Sequence, residues 1–303
     1  MSESSGLLTL DVKRSLPSRC LAGVFVAVMF AVLFATPGTT KADGLQYSVV
    51  IRVDVKSAGL TSGEVLVRVG NLSTPATAIK ASPDIPPNIA IVMDAGPDQT
   101  KVLPKEKDLA IVLVNELSGA GTSFTVVRAG ASPETQATTL DHSVAIEHIR
   151  DIAGDSGEKT NVPIYDAIGS AIRQISLTPG IRVVIFIGEG NDGGSRLRYA
   201  ELRNFAESNQ IAFFAALVAD HSLRGTKSIL RYGWNLRELS SDTAGIFLEN
   251  QETLKATQRL SESVRGLRLI TFDLPFRQRG QFKISVSAGR GKKLHAQKAI
   301  VNR

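Results

Sequence analysis

The chain has 303 residues, 43% of them hydrophobic, and a formal net charge of +6. That length holds one large domain or two smaller ones with sizeable cores, and the ordinary apolar content excludes a fibrous or low-complexity chain. The only cysteine is Cys20, which excludes a disulfide framework and a cysteine-built metal site.

The N-terminus reads as a targeting segment. Lys13, Arg14 and Arg19 precede an uncharged apolar run over residues 21–35, and small residues follow up to Ala42. A basic start, a short apolar stretch and a small residue at the end describe a secretory signal peptide over residues 1–42. The alternative is an uncleaved membrane anchor, although the run is shorter than the ~18–20 residues a spanning helix needs. Cleavage would remove Cys20 and place the remainder in the periplasm or outside the cell.

The next elements follow in chain order. Residues 45–55 alternate, with Leu45, Tyr47, Val49, Ile51, Val53 and Val55 on one face, which predicts a half-buried strand. A turn over 57–63, a strand over 65–69, a Gly70-Asn71 turn and a strand over 77–79 complete an N-terminal β segment, residues 43–86. Three prolines in residues 82–87 mark a boundary.

Beyond it, strands and helices alternate over residues 87–264. Strands are predicted over 89–94, 124–128, 181–187, 211–218 and 245–248. Helices are predicted over 104–117, 141–152, 163–175, 197–208, 236–243 and 253–264. On the third of these helices Ile164, Ala167, Ile168, Ala171, Ile172 and Ile175 form one apolar stripe. The expected fold class is therefore α/β, a Rossmann-like, mostly parallel sheet with helices on both faces. From residue 265 to 303 the pattern returns to β. Phe282, Ile284 and Val286 alternate with polar residues, and residues 294–301 are predicted to close a hairpin with them. The two terminal β segments are expected to form a small antiparallel module flanking the α/β domain.

The most informative stretch is Ile89-Ala90-Ile91-Val92-Met93-Asp94-Ala95-Gly96-Pro97-Asp98, an apolar strand ending on a carboxylate before a Gly-Pro turn. In open α/β sheets sites form at the carboxyl ends of strands, so Asp94 marks the edge where function is expected.

This strand, the helix of Ile164-Tyr165-Asp166-Ala167-Ile168, and the loop Phe186-Ile187-Gly188-Glu189-Gly190-Asn191-Asp192-Gly193-Gly194-Ser195-Arg196 occur in an order that resembles the von Willebrand factor A (VWA) domain. The chain is most similar to bacterial, in particular acidobacterial, secreted proteins of the VWFA-related kind. The resemblance spans essentially everything after residue 42, with residues 65–79 resembling the β elements before the domain and 267–301 its closing β segment. It implies a VWA-like fold, a role in adhesion or protein interaction, and a Mg²⁺- or Ca²⁺-type site of hard oxygen ligands.

The site positions depart from the family pattern. Asp94 keeps the first aspartate. Gly96 and Asp98 stand at the two serine positions, Val162 stands at the threonine position with Thr160 two residues away, and Glu189 stands at the second-loop aspartate. Two readings follow. In the first, loops at the carboxyl edge of the sheet bind a protein or other envelope macromolecule without the usual metal and without enzymatic activity, through a surface that includes Asp94, Gly96, Asp98, Thr160, Glu189, Asp192 and Trp234. In the second, Asp94, Asp98 and Glu189, with Asp192, hold Mg²⁺ or Ca²⁺.

Gly188-Glu189-Gly190-Asn191-Asp192-Gly193 also spells a G-x-G-x-x-G dinucleotide fingerprint. The two acids would oppose a pyrophosphate, which argues against a nucleotide enzyme. His142, His148, His221 and His295 show no metal-ligand spacing. The C-terminal segment holds ten Lys/Arg against one Asp from Arg265 to Arg303. It reads either as a patch for anionic surfaces or as protection of an exposed strand edge. No nucleic-acid recognition motif is present.

Overall fold

The computed structural model describes residues 45–53, 59–81, 84–156, 161–218, 227–249, 251–275, 280–289, 294–297 and 299–302. The predicted signal peptide lies outside the described residues, as do residues 54 and 55 at the end of the first expected strand.

Three strands come first: β1 (Leu45–Val53), β2 (Val65–Val69) and β3 (Leu72–Ala81). The α/β part follows as β4 (Pro87–Asp94), α1 (Leu103–Leu117), β5 (Ser123–Ala129), β6 (Pro133–Thr135), α2 (His142–Asp151), α3 (Ile164–Ile175), β7 (Ile181–Gly188), α4 (Tyr199–Ser208), β8 (Ile211–Leu217), α5 (Lys227–Asp242), β9 (Phe247–Glu249) and α6 (Thr253–Arg265). The chain ends on β10 (Leu267–Leu274), β11 (Gly280–Ala288), β12 (Leu294–Ala296) and β13 (Ala299–Asn302). Among the described residues no helix is long and apolar enough to cross a membrane.

One sheet runs in the order β6-β5-β4-β7-β8-β9. Its neighbours are parallel except β6, which returns antiparallel on β5. All eight residues of β4 are buried, as its continuous apolar pattern demands of a strand covered on both faces. One core lies between this sheet and α1, α2 and α6, with Ile89, Ile91, Met93, Leu109, Leu113, Ile149 and Leu260. The other lies between the sheet and α3, α4 and α5, with Val92, Ile168, Ile172, Phe186, Leu202 and Leu236. The stripe read on α3 is buried throughout. The strand order places the topological switch point between β4 and β7, so the crevice between their carboxyl ends is the natural place for a site.

The terminal strands do pair with each other, in the antiparallel order β12-β1-β10-β3-β2-β11-β13. β12 bonds to β1 and β13 to β11, yet the two are successive pieces of one segment. The sheet therefore closes on itself around Val49, Ile51, Val67, Ile270 and Phe272, leaving little free edge. The expected C-terminal hairpin holds only where residues 280–283 meet 299–302. Residues 284–288 pair with β2 instead, because closing the sheet satisfies more backbone groups than an isolated hairpin would.

This closed sheet docks at the amino edge of the parallel one. Gln210 Nε2 donates to Ser48 O (2.9 Å), Arg52 Nε to Ala244 O (3.1 Å) and Gln297 Nε2 to Glu207 O (2.9 Å). The opposite, carboxyl edge is thus the one that carries the Asp94 crevice.

Two further differences from the sequence reading are local. α5 begins at Lys227, well before the expected start at residue 236. Its interior Gly233 hides the helical pattern, and a Cβ there would reach Leu217 Cδ1 at 3.4 Å. The strand expected over 77–79 is the end of the longer β3, formed because the Gly70 turn, at φ +59°, folds it back along β2.

Candidate functional site at the carboxyl edge

Asp94 ends β4 at this switch point and is only 3% exposed. Its Oδ1 accepts from the Gly96 N–H (3.1 Å), and its carboxylate also accepts from the backbone amides of Glu189 and Gly190. The side chain therefore ties the end of β4 to the loop after β7. Gly188 makes this approach possible: it sits at φ +155°, and a Cβ there would lie 2.2 Å from Asp94 Cβ. Burial pushes the Asp94 carboxyl up to about 7, the three amides pull it down, and the Glu189 carboxylate adds to the rise.

Two more buried acids share this field. Glu189 follows Gly188 and is 5% exposed. Glu106 sits in the first turn of α1, fully buried, and both its oxygens lack a hydrogen-bond partner among the described residues. Burial raises its pKa well above the ordinary value, and the Asp94 and Glu189 charges raise it further. Glu106 is the residue that sequence reading missed. The signal was present, since Glu106 falls on the buried stripe of Leu103, Leu109, Ala110 and Leu113, where an acid is out of place.

Asp192 has a different task. Its Oδ1 accepts from the Tyr165 N–H at the start of α3 (3.2 Å) and from the Ser195 hydroxyl. In return Asp166 accepts from the amides of Arg196 and Leu197, each at 2.9 Å. The loop over 189–197 and the first turn of α3 cap each other, so Asp192 satisfies helix amides that would otherwise be orphaned. Burial raises its pKa, while the Ser195 and Tyr165 bonds lower it. On the other side, Arg128 pairs with Asp155 and Glu134, and the Asp155 amide donates to Ala95 O (2.8 Å). The rim of the crevice is thus pinned from both flanks.

The remaining expected positions divide. Gly96 and Val162 touch: a Cβ at Gly96 would lie 2.6 Å from Val162 Cγ2. Asp98 lies in the short 3-10 turn Pro97–Gln99, and its side chain, like all of Thr160, falls outside the described residues. Trp234 is 66% exposed on α5. Its neighbour Asn235 donates to the Tyr165 hydroxyl (2.9 Å), and Leu236 Cδ1 packs 2.7 Å from where a Cβ at Gly190 would stand, so Trp234 belongs to the carboxyl edge. Gly188, Gly190 and Gly193, the fingerprint glycines, face Asp94, Leu236 and Asn161. Their missing side chains serve close packing within the protein and do not open a cradle for phosphate.

A divalent cation of the VWA type needs several oxygens in a near-octahedral or larger cage. Gly96 and Val162 supply no side-chain oxygen, Asp94 is occupied by three amides, and Asp192 caps α3. Among the described residues no three His, Cys, Asp or Glu side chains are placed to hold a metal ion. Among the described residues, Gly96, Val162 and Asp192 do not fit the group.

No protein-family model matches the chain, and no curated protein does. Solved structures do. The conserved hypothetical protein BatB from Bacteroides thetaiotaomicron superposes with a TM-score of 0.50 at 19% identity, over 58% of this chain and 96% of that one. With it, the β6-β5-β4-β7-β8-β9 order and the Asp94 crevice at the switch point decide the architecture. The chain has a von Willebrand factor A fold.

Two other matches accompany it. The von Willebrand factor type A protein from Catenulispora acidiphila gives a TM-score of 0.49 at 11% identity, over 85% of this chain and 74% of that one. An aerotolerance-related membrane protein from Bacteroides fragilis gives 0.47 at 16% identity, over 58% and 98%. At these identities the likeness is one of fold. In this fold Asp94 stands at the end of the first parallel strand, with Gly96 packed on Val162 beside it and Asp192 capping α3.

Proposed function

We propose that the chain is an exported, non-enzymatic VWA-type interaction module that binds a protein or other envelope macromolecule through the loops at the carboxyl edge of its parallel sheet. One observation carries this reading. The amino edge is covered by the closed β module through Ser48, Arg52 and Gln297, whereas the carboxyl edge presents rigidly pinned loops beside a 66%-exposed tryptophan. Rigid scaffolds with loops at one edge are where binding residues concentrate, and an exposed Trp is the residue type most enriched among interface anchors. Leu254, 77% exposed at the start of α6, adds apolar surface on the flank opposite the Trp234 helix. Export rests on the basic-apolar pattern of residues 1–42.

The test is capture from an envelope extract of the producing organism with three immobilised baits: the wild type, Trp234→Ala, and Leu66→Ala on the β module. A species retained by the wild type and Leu66→Ala but reduced at least tenfold on Trp234→Ala supports the carboxyl edge, since hot-spot truncations cost about 2 kcal/mol or more. Equal retention on all three baits, or loss on Leu66→Ala alone, overturns it.

A further inference from the structure

We infer that Gly96 and Val162 form an interlocked apolar pair that closes the crevice to divalent cations, so that recognition at this edge is independent of metal. The inference rests on the interaction reading above and adds the chemistry of its site.

A Cβ at residue 96 would lie 2.6 Å from Val162 Cγ2, closer than two carbon atoms approach without one moving. The valine methyl therefore stands where a serine side chain at 96 would begin. It cannot easily withdraw. Val162 is 7% exposed and belongs to the core beneath α3, and its carbonyl accepts from the amides of Gly193 (3.1 Å) and Ile164 (3.0 Å). The residue that follows is Pro163, which restricts the valine backbone further. A hydroxyl-bearing residue at 96 and valine at 162 are thus mutually exclusive in this backbone. Losing one oxygen donor and gaining one methyl are a single packing solution.

The carboxylate that remains is also committed. Gly96, Glu189 and Gly190 direct amides at Asp94, and a carboxylate has about four lone-pair directions in all. A cation at Asp94 would have to displace bonds that hold the end of β4 to the loop after β7. Gly96 lies at φ −62°, ψ 164°, a conformation open to any residue. The glycine is therefore required by its contact with Val162 and not by backbone strain, and that separates the two explanations experimentally.

Two measurements test the inference. The first is thermal melting of the wild type with chelator, and then with about 10 mM MgCl2 or CaCl2 against a NaCl control of equal ionic strength. A cation bound to the folded state at a hundred times its Kd must raise the melting temperature by several degrees through mass action. No rise beyond the NaCl control is expected, and a saturable rise with either cation overturns the inference. The second is a double-mutant cycle. Gly96→Ala is expected to lower the melting temperature by several degrees with Val162 present and by less than half as much beside Val162→Ala. Equal losses in both backgrounds show no interlock and overturn it. If Gly96→Ala does not fold, the wild-type titration decides. A positive metal response would leave the Trp234 capture result standing, so failure of the inference and of the interaction reading are separable.

Discussion

Gly188→Ala is expected to lower the stability of the protein by about 2–6 kcal/mol, from left-handed backbone strain and overpacking together. Position 188 is where β7 ends and the loop carrying Glu189 begins, and its φ is +155°. A methyl group there would meet Asp94 Cβ at 2.2 Å and Phe186 Cζ at 3.1 Å. Asp94 cannot retreat without giving up the Gly96, Glu189 and Gly190 amides. Phe186 is itself a fully buried core ring. The control is Gly63→Ala, where a Cβ meets nothing within 4 Å, with a cost within about 1 kcal/mol. Urea unfolding of the two variants measures both. A Gly188→Ala protein as stable as Gly63→Ala would show that the contact between Asp94 and the β7 loop holds nothing together.

Glu106→Leu is expected to act in the opposite direction and stabilise the protein by about 1–3 kcal/mol, the cost of an unpartnered buried polar group. Leucine suits the position, since Leu103, Leu109 and Leu113 occupy the same buried stripe of α1. The gain should grow with pH. Glu106 has a folded-state pKa raised well above its ordinary value, so the folded protein keeps a proton that the unfolded chain releases. Stability from that proton is complete in acid and declines as pH climbs past about 4.5. Asp94 adds a decline of the same sign, beginning near 4 and ending near its folded value of about 7. The wild-type melting temperature should therefore fall between pH 5 and pH 8, and Glu106→Leu should fall less. A variant less stable than wild type at pH 8 would contradict this account of Glu106. An acid retained at such a position lowers stability, and perturbed acids of this kind gather at functional sites.

The parts of the fold that could be read from the sequence are those whose pattern is local. β4 declares itself by eight residues of nearly unbroken apolar character ending on Asp94, and α3 by a stripe at helical spacing. The terminal β module was legible in its parts, because alternation marks a half-buried strand. The splitting of residues 294–302 between β1 and β11 was not, because the choice of partner depends on closing the whole sheet. The first half of α5 was not legible because Gly233, a residue that ordinarily marks a turn, lies in its interior.

The site shows the same division. Its location followed from one carboxylate at the end of a strand, and the resemblance supplied the order of the loops around it. What the side chains do there depends on contacts between segments far apart in sequence. Asp192 looks like a loop acid until Tyr165 and Ser195 are placed beside it. Gly96 and Val162 read separately as two lost oxygen donors, and only their 2.6 Å approach makes them one feature. Glu106 lies within the helix predicted over 104–117, and its place on the stripe of Leu103, Leu109 and Leu113 stands out only once that face is known to be buried.

The central claim, that packing closes the carboxyl edge of this VWA fold to divalent cations, is tested most directly by crystallography with a cation that can be seen. Crystals soaked in about 10 mM MnCl2 would place an anomalous peak within roughly 2.2 Å of any ligating carboxylate oxygen. The account predicts no such peak at Asp94 or Glu189, with Val162 Cγ2 seated against Gly96 and the Gly96 amide still donating to Asp94. A manganese peak bonded to Asp94, with the valine displaced, would contradict it.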